Sequence, residues 1–178
     1  MRLSRVLILA SLLAASAVFA GFTSVGEGAA VFKAVGTGGF KMEGKTKQVA
    51  VADDNTTVTV TVTLTDIATG ITLRDNHTKK YLEVEKFPTT TLAVKKAALK
   101  IPEAAGPLEG SATGAYTLHG VTKDLPFTYK GACAADGTCT VEGSMNINMK
   151  EFGVNVPSYL GITVKPDVVV TSSFTVKR

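Results

Sequence analysis

Residues 56–64 read TTVTVTVTL, an unbroken alternation of threonine with valine that closes on leucine. A period of two belongs to a strand, whose successive side chains leave opposite faces of the backbone. Val58, Val60, Val62 and Leu64 therefore point one way and the threonines the other. β-branched residues favour this conformation because their stiff χ1 packs well on a pleated surface. One apolar and one polar face is the mark of an antiparallel sheet with a core on one side.

The pattern recurs on both sides of that stretch. DVVVTSSFTVK (167–177) sets Val168, Val170, Phe174 and Val176 on one face. TVEGSMNINMK (140–150) sets Val141, Met145, Ile147 and Met149 opposite Glu142, Asn146, Asn148 and Lys150. Leu125, Phe127 and Tyr129 alternate in LPFTYK, as do Leu92 and Val94 in TLAVKKA, and Tyr116 and Leu118 in YTLHG. Turn residues separate the runs at Asp53-Asp54-Asn55, His119-Gly120 and Asp136-Gly137, with a longer Pro/Gly/Ala passage over 101–113. GAAVFKAVG (28–36) and GFKMEGKTKQVAV (39–51) read as shorter or bent strands, their glycines marking bulges. The total is roughly eight strands, a number at which a closed antiparallel barrel just encloses one small ligand.

Alternation fails once, in TGITLRDNHTKKYLEVEKFP (69–88). Asp75 suits an N-cap, Tyr81, Leu82 and Glu85 recur at helical spacing, and Pro88 forces Phe87 out of the α region. The spacing predicts one short helix over 76–85, with Arg74 and Asp75 at its junction with the preceding strand.

The ends and the composition narrow the function. Arg2 and Arg5, the apolar run from Val6 to Ala14, and Val18-Phe19-Ala20 predict a secretory leader over 1–20, cut before Gly21. The run is short for a membrane span, though an uncut anchor is the alternative. Residues 21–178 then form one domain with no stable membrane anchor. Loss of two arginines takes the formal charge from +4 to +2. Lysines are scattered, and no basic-aromatic motif marks a nucleic-acid partner. Cys133 and Cys139 flank the Asp136-Gly137 turn, which in an oxidising compartment reads as a disulfide across a hairpin tip, against free thiols or a metal pair.

The cluster of Arg74, Asp75 and His77 invites a catalytic or metal reading. No Gly-x-Ser-x-Gly or similar nucleophile motif accompanies it. A zinc site wants three or four ligands, and nothing local sets His77, His119 and Asp75 on one face. The expectation is architecture: these side chains satisfy backbone groups at strand and helix ends. No catalytic residue, metal ligand or cofactor is expected.

Four motifs in order carry a family resemblance: Arg74-Asp75-x-His77, Tyr81-Leu82 to Phe87-Pro88, Leu118-x-Gly120-x-Thr122, and Phe152-Gly153. Together they resemble the YceI-like family of exported lipid-binding proteins over about residues 24–178. The opening GFTSVGEGAAVFKAVGTGG departs from the aromatic-rich start of relatives. The resemblance implies an extended lipocalin-like antiparallel β-barrel in the periplasm, holding an isoprenoid or fatty-acyl lipid in a hydrophobic cavity. It places Arg74, Asp75 and His77 on the family's signature loop. The alternating faces make Val58, Val60, Val62, Leu92, Val94, Tyr116, Leu118, Phe127, Met145, Ile147, Met149, Val168 and Val170 the candidate cavity lining, with Tyr159 near the entrance in the apolar loop 155–166. The expected function is binding, transport or sequestration of a polyisoprenoid or isoprenoid quinone. The alternatives are a metal- or quinone-linked enzyme using His77, and a filled barrel with a structural role. Edge strands would allow a homodimer.

Overall fold

The computed structural model describes residues 21–159 and 161–178; the leader expected over 1–20 and Leu160 lie outside the described residues. Eleven strands run β1 (Thr23–Ser24), β2 (Ala29–Gly36), β3 (Lys41–Thr46), β4 (Val49–Asp53), β5 (Thr57–Thr63), β6 (Thr89–Lys95), β7 (Gly106–Leu118), β8 (Val121–Cys133), β9 (Thr138–Asn148), β10 (Ser158–Tyr159) and β11 (Ile162–Lys177). Among the described residues one α-helix, α1 (Thr72–Tyr81), falls between β5 and β6.

The sheet is antiparallel throughout, in the order β1-β4-β5-β6-β7-β8-β9-β11, and β1 returns to β11 to close a ring of eight strands. The long β11 organises the closure. One edge pairs with β9 from Asp167 to Lys177; the other takes β2 over Val164–Ser173 and then β1 at Val176 and Lys177. β2 continues into β3 as a hairpin, and β4 follows after only Lys47 and Gln48.

This arrangement zips one end of the barrel and splays the other. At the closed end β1, β4 and β5 are in register. At the open end β3, the edge strand carried outside the ring by β2, meets the β5 side only through the bridge Lys45↔Ala68 among the described residues. The chain from Thr69 to Phe87, helix included, lies in that gap. The barrel is therefore lipocalin-like, with a mouth whose position follows from β3 standing outside the ring.

The helix starts four residues earlier than its spacing predicts. Asp75 is not the N-cap; Ile71 is, and Asp75 N–H makes the helical bond to Ile71 O at 2.9 Å. The Asp75 carboxylate instead reaches back to accept from Thr69 N at 2.6 Å and Thr69 Oγ1 at 2.5 Å. A local cap preference was outcompeted by donors in the incoming loop. The helix ends at Tyr81 with Leu82 as its C-cap; Glu83 takes φ 47°, and residues 82–86 form turns. No residue of α1 is fully buried, so it covers the mouth rather than filling the core.

The interior has two main apolar clusters. Leu64, Leu118, Ile147, Phe152, Val164 and Val168 belong to the mouth-end cluster; Phe22, Val58, Val94, Phe127, Tyr129 and Val176 belong to the closed-end one. The passage after β6 lids the closed end. Tyr129 OH accepts from Lys100 N at 2.6 Å, and Arg178 donates to Pro102 O and Glu103 O.

The candidate cavity, its mouth and the signature motifs

Two small apolar cavities lie inside the barrel, and a large cleft lies outside it beside the helix. The closed-end cavity has a volume of about 100 Å³ and is lined by Val58, Val60, Leu92, Val94, Phe127, Met145 and Val170, with Phe22 and Phe174. The mouth-end cavity, about 80 Å³, is lined by Leu118, Ile147, Met149 and Val168, with Phe32, Leu64 and Ile67. Of the residues expected to line a cavity, Val62 and Tyr116 line neither. Val62 packs with Ala30 and Val49, and Tyr116 packs edge-on against Phe152 with centroids 5.6 Å apart. Facing inward on a strand is not enough to reach a void; the neighbour across the barrel must also be short. The 155–166 stretch is not a loop but a hairpin: Tyr159 pairs with Ile162, so β11 begins there, while the Tyr159 side chain lies outside the described residues.

Leu92 and Met145, which line the closed-end cavity, stand at the partition between the two apolar clusters. Both pack against the mouth-end and the closed-end clusters. They are flexible, unbranched or γ-branched side chains, and methionine adapts its shape with small energetic penalty.

The outer cleft, about 860 Å³, lies over the gap in the wall. Met42, Thr78, Tyr81 and Pro157 line both this cleft and the mouth-end cavity, so those four side chains stand between solvent and interior. Its rim carries Phe40, Ile71, Leu73 and Ile162, together with Lys41, Arg74, His77 and Lys80. Sequence reasoning missed this rim, because its members are 122 positions apart at the extremes and no periodicity links Phe40 to Ile162. The one available signal was Ile71 and Leu73, apolar residues flanking the polar signature cluster.

The signature residues divide between two tasks. Arg74 and His77 line the cleft; the Arg74 guanidinium sits 5.8 Å from the Phe40 ring centroid, and its Nε has no hydrogen-bond partner. Asp75 holds the loop, and its hydrogen bonds from the Thr69 side chain and backbone keep its carboxyl below the usual carboxylate range. The other three motifs meet in one knot. His119 Nδ1 lies 3.2 Å from Phe152 O, its Nε2 lies 3.4 Å from the Glu83 carboxylate, and its ring packs on Phe87 at 4.8 Å. His119 and Gly120 both take positive φ, 52° and 76°, as a two-residue hairpin turn requires. A Cβ on Gly120 would lie 2.7 Å from Phe87 Cε1, so glycine is needed for space as well as for conformation. Gly153, at φ 72°, ends the 3₁₀ turn that buries Phe152 completely. The knot thus ties the segment after α1 to the β7–β8 turn and the end of β9.

Buried polar groups are few. Burial pushes the Tyr116 phenol up to about 12; the neighbouring Thr90 hydroxyl, already donated to Thr117 O at 2.6 Å, offsets this only in part. At the closed end, burial would raise the Asp53 carboxyl, but Lys96 Nζ at 2.5 Å and the Phe22 and Asn55 N–H groups outweigh it and hold it low. Cys133 and Cys139 form the disulfide across the β8–β9 hairpin, and Cys139 borders the closed-end cavity. Among the described residues, no three His, Cys, Asp or Glu side chains gather where they could share a metal ion, and no helix is long and apolar enough to cross a membrane.

An antiparallel ring with an apolar interior, a helix over its splayed end and a mouth beneath it defines the lipocalin-like class. Within that class the chain belongs to the YceI-like family: the family's domain model matches residues 21–176. No curated protein matches the chain at a significant level. Among solved structures it is similar to a polyisoprenoid binding domain from Saccharophagus degradans, implicated in plant cell wall breakdown, at 12% identity and TM-score 0.72 over 89% of this chain and 98% of that one. It is also similar to Burkholderia cenocepacia BcnA, at 16% identity and TM-score 0.62 over 82% and 95% of the two chains. A YceI protein from Campylobacter jejuni matches at 22% identity and TM-score 0.52 over 76% and 84%.

Proposed function

We propose that this protein binds the long apolar tail of a lipid, of the polyisoprenoid or isoprenoid quinone type, inside the barrel, and carries or sequesters it in the periplasm. The observation that carries this reading is the apolar interior: an outer cleft that shares four lining residues with the mouth-end cavity, and a second apolar cavity at the closed end, with Leu92 and Met145 packed on both clusters. The fold shared with the S. degradans polyisoprenoid binding domain supports it. The disulfide and the leader read over 1–20 support an exported protein. The role is binding rather than catalysis, with the lipid as partner and no cofactor.

The size of the cavities bears on mechanism. An apolar void of about 150 Å³ stays dry and admits a benzene. Each cavity here is smaller, about 100 and 80 Å³. A long tail therefore enters only as Leu92, Met145 and their neighbours change rotamer. The gain is roughly 25 cal/mol per Å² of apolar tail removed from water. The same small volumes favour one rival, a barrel filled by its own side chains. Native mass spectrometry of the protein purified from a periplasm, with organic extraction, separates the two. A near-stoichiometric isoprenoid or acyl species is expected; a bare protein that takes up no isoprenoid or fatty-acyl candidate would leave the filled barrel standing.

A further inference from the structure

We infer that the rim of the mouth is a docking surface for an anionic phospholipid bilayer, so that the barrel opens toward the membrane from which its ligand is drawn. This rests on the lipid-binding reading above, which makes a bilayer the source of the ligand, but the surface itself is a separate observation.

Ile71 and Leu73 are 53% and 54% exposed at the start of α1, where a solvated helix would carry polar residues. Phe40, before β3, and Ile162, at the tip of the β10–β11 hairpin, are also exposed. The four come from three separate segments and line the same cleft. Single exposed apolar residues are ordinary; several gathered at one opening mark an interaction site.

The charge around them selects the occupant. Lys41, Arg74 and Lys80 line the cleft, against the single acid Glu83. That acid lies 3.9 Å from Lys86 Nζ, a further cation outside the cleft lining, and 3.4 Å from His119 Nε2. The nearby Asp75 carboxylate is taken by Thr69. Three cations thus face one acid at the rim, with Arg74 partly balanced by the neighbouring Asp75. An apolar tip within a ring of long basic side chains matches the boundary between acyl chains and phosphate headgroups, where the tip is buried and the charges meet phosphates. A second copy of this chain fits worse. In a two-fold contact the patch would meet itself and set three cations against three.

The chain has no tryptophan, so Leu73→Trp places a single reporter at the rim. Val25→Trp, at an exposed site beside β1 on the closed end, is the matched control. With vesicles of phosphatidylcholine and phosphatidylglycerol, the Leu73→Trp emission should shift to the blue while the control stays unchanged. Vesicles of phosphatidylcholine alone should give little shift, and raised salt should weaken the response. Lys41→Ala combined with Lys80→Ala should lower vesicle affinity about twenty-five-fold, from roughly 1 kcal/mol per basic residue at an anionic surface. Ile71→Trp serves as a second reporter should Leu73→Trp disturb folding. No shift at either rim position overturns the inference, as does a shift of equal size on neutral vesicles. A shift that grows with protein concentration in the absence of vesicles overturns it in favour of a second copy. Binding of a soluble acyl probe by the unmodified protein is measured alongside. Probe binding without docking sinks this inference alone, and docking without probe binding sinks the lipid-binding reading alone.

Discussion

Met145→Ala tests whether the partition controls what the barrel can hold. Met145 packs on both apolar clusters and borders the closed-end cavity. Truncation removes three heavy atoms and enlarges the closed-end void of about 100 Å³. An added void of ~60 Å³ costs about 1.5 kcal/mol at ~24 cal/mol per Å³, and lost transfer of the removed atoms adds about 1. The ligand-free variant should therefore be destabilised by about 2–3 kcal/mol in urea unfolding, toward the low end for methionine because the side chain already borders a void. A bound tail would occupy the new space. Each further methylene buried is worth about 0.8 kcal/mol, roughly fourfold in affinity. In displacement of a fluorescent acyl probe by a fatty-acid series, Met145→Ala should favour chains two or three carbons longer than the wild type does, and those chains should restore most of the lost stability. Met145→Leu, which nearly conserves volume, should change stability by less than about 1.5 kcal/mol and leave the length preference in place. An unchanged length profile, together with a stability loss that no lipid repairs, would refute the idea that Met145 controls what the barrel can hold.

Other expectations are more local. Raising the Tyr116 phenol to about 12 from its ordinary 10 favours the folded state fully below pH 10, and this is lost as pH rises through 12. On the order of 3 kcal/mol disappears across that window, and Tyr116→Phe should abolish the extra alkaline slope with little change near neutrality. Asp53 behaves oppositely: its lowered carboxyl adds stability above pH 3.8 that is lost as pH falls through its folded value. Asp53→Asn should flatten that acid limb and lower stability at neutral pH by about 2 kcal/mol, because Lys96, 30% exposed, loses its partner but keeps some water. Cys133→Ser combined with Cys139→Ser frees a short loop with a sequence separation of 6 and should cost roughly 2 kcal/mol in chemical denaturation.

The inward faces were legible because strand periodicity is local: Val58, Val94, Phe127, Ile147, Val168 and Val170 are all buried as the alternation requires. The disulfide and the His119-Gly120 turn were legible for the same reason, since each is fixed by a few adjacent residues. The helix was placed too late because Asp75 had two donors to choose from, and the competing pair at Thr69 exists only once the loop before it is folded. The void-lining role of Val62 and Tyr116 could not be excluded from the chain alone, since a side chain that faces inward meets either a neighbour or a space according to what stands across the barrel.

By itself the sequence determined the strands, their apolar faces, the turns between them and the family to which the chain belongs. The tertiary structure decided where the barrel opens. That depends on β11 exchanging β2 for β1 along one edge and on β2 carrying β3 outside the ring, pairings between residues more than a hundred positions apart in the first case. It also brought Phe40, Ile71, Leu73 and Ile162 to one rim, and set Leu92 and Met145 between two apolar clusters. Backbone periodicity is a property of neighbours along the chain, whereas a mouth and a partition are properties of neighbours across it.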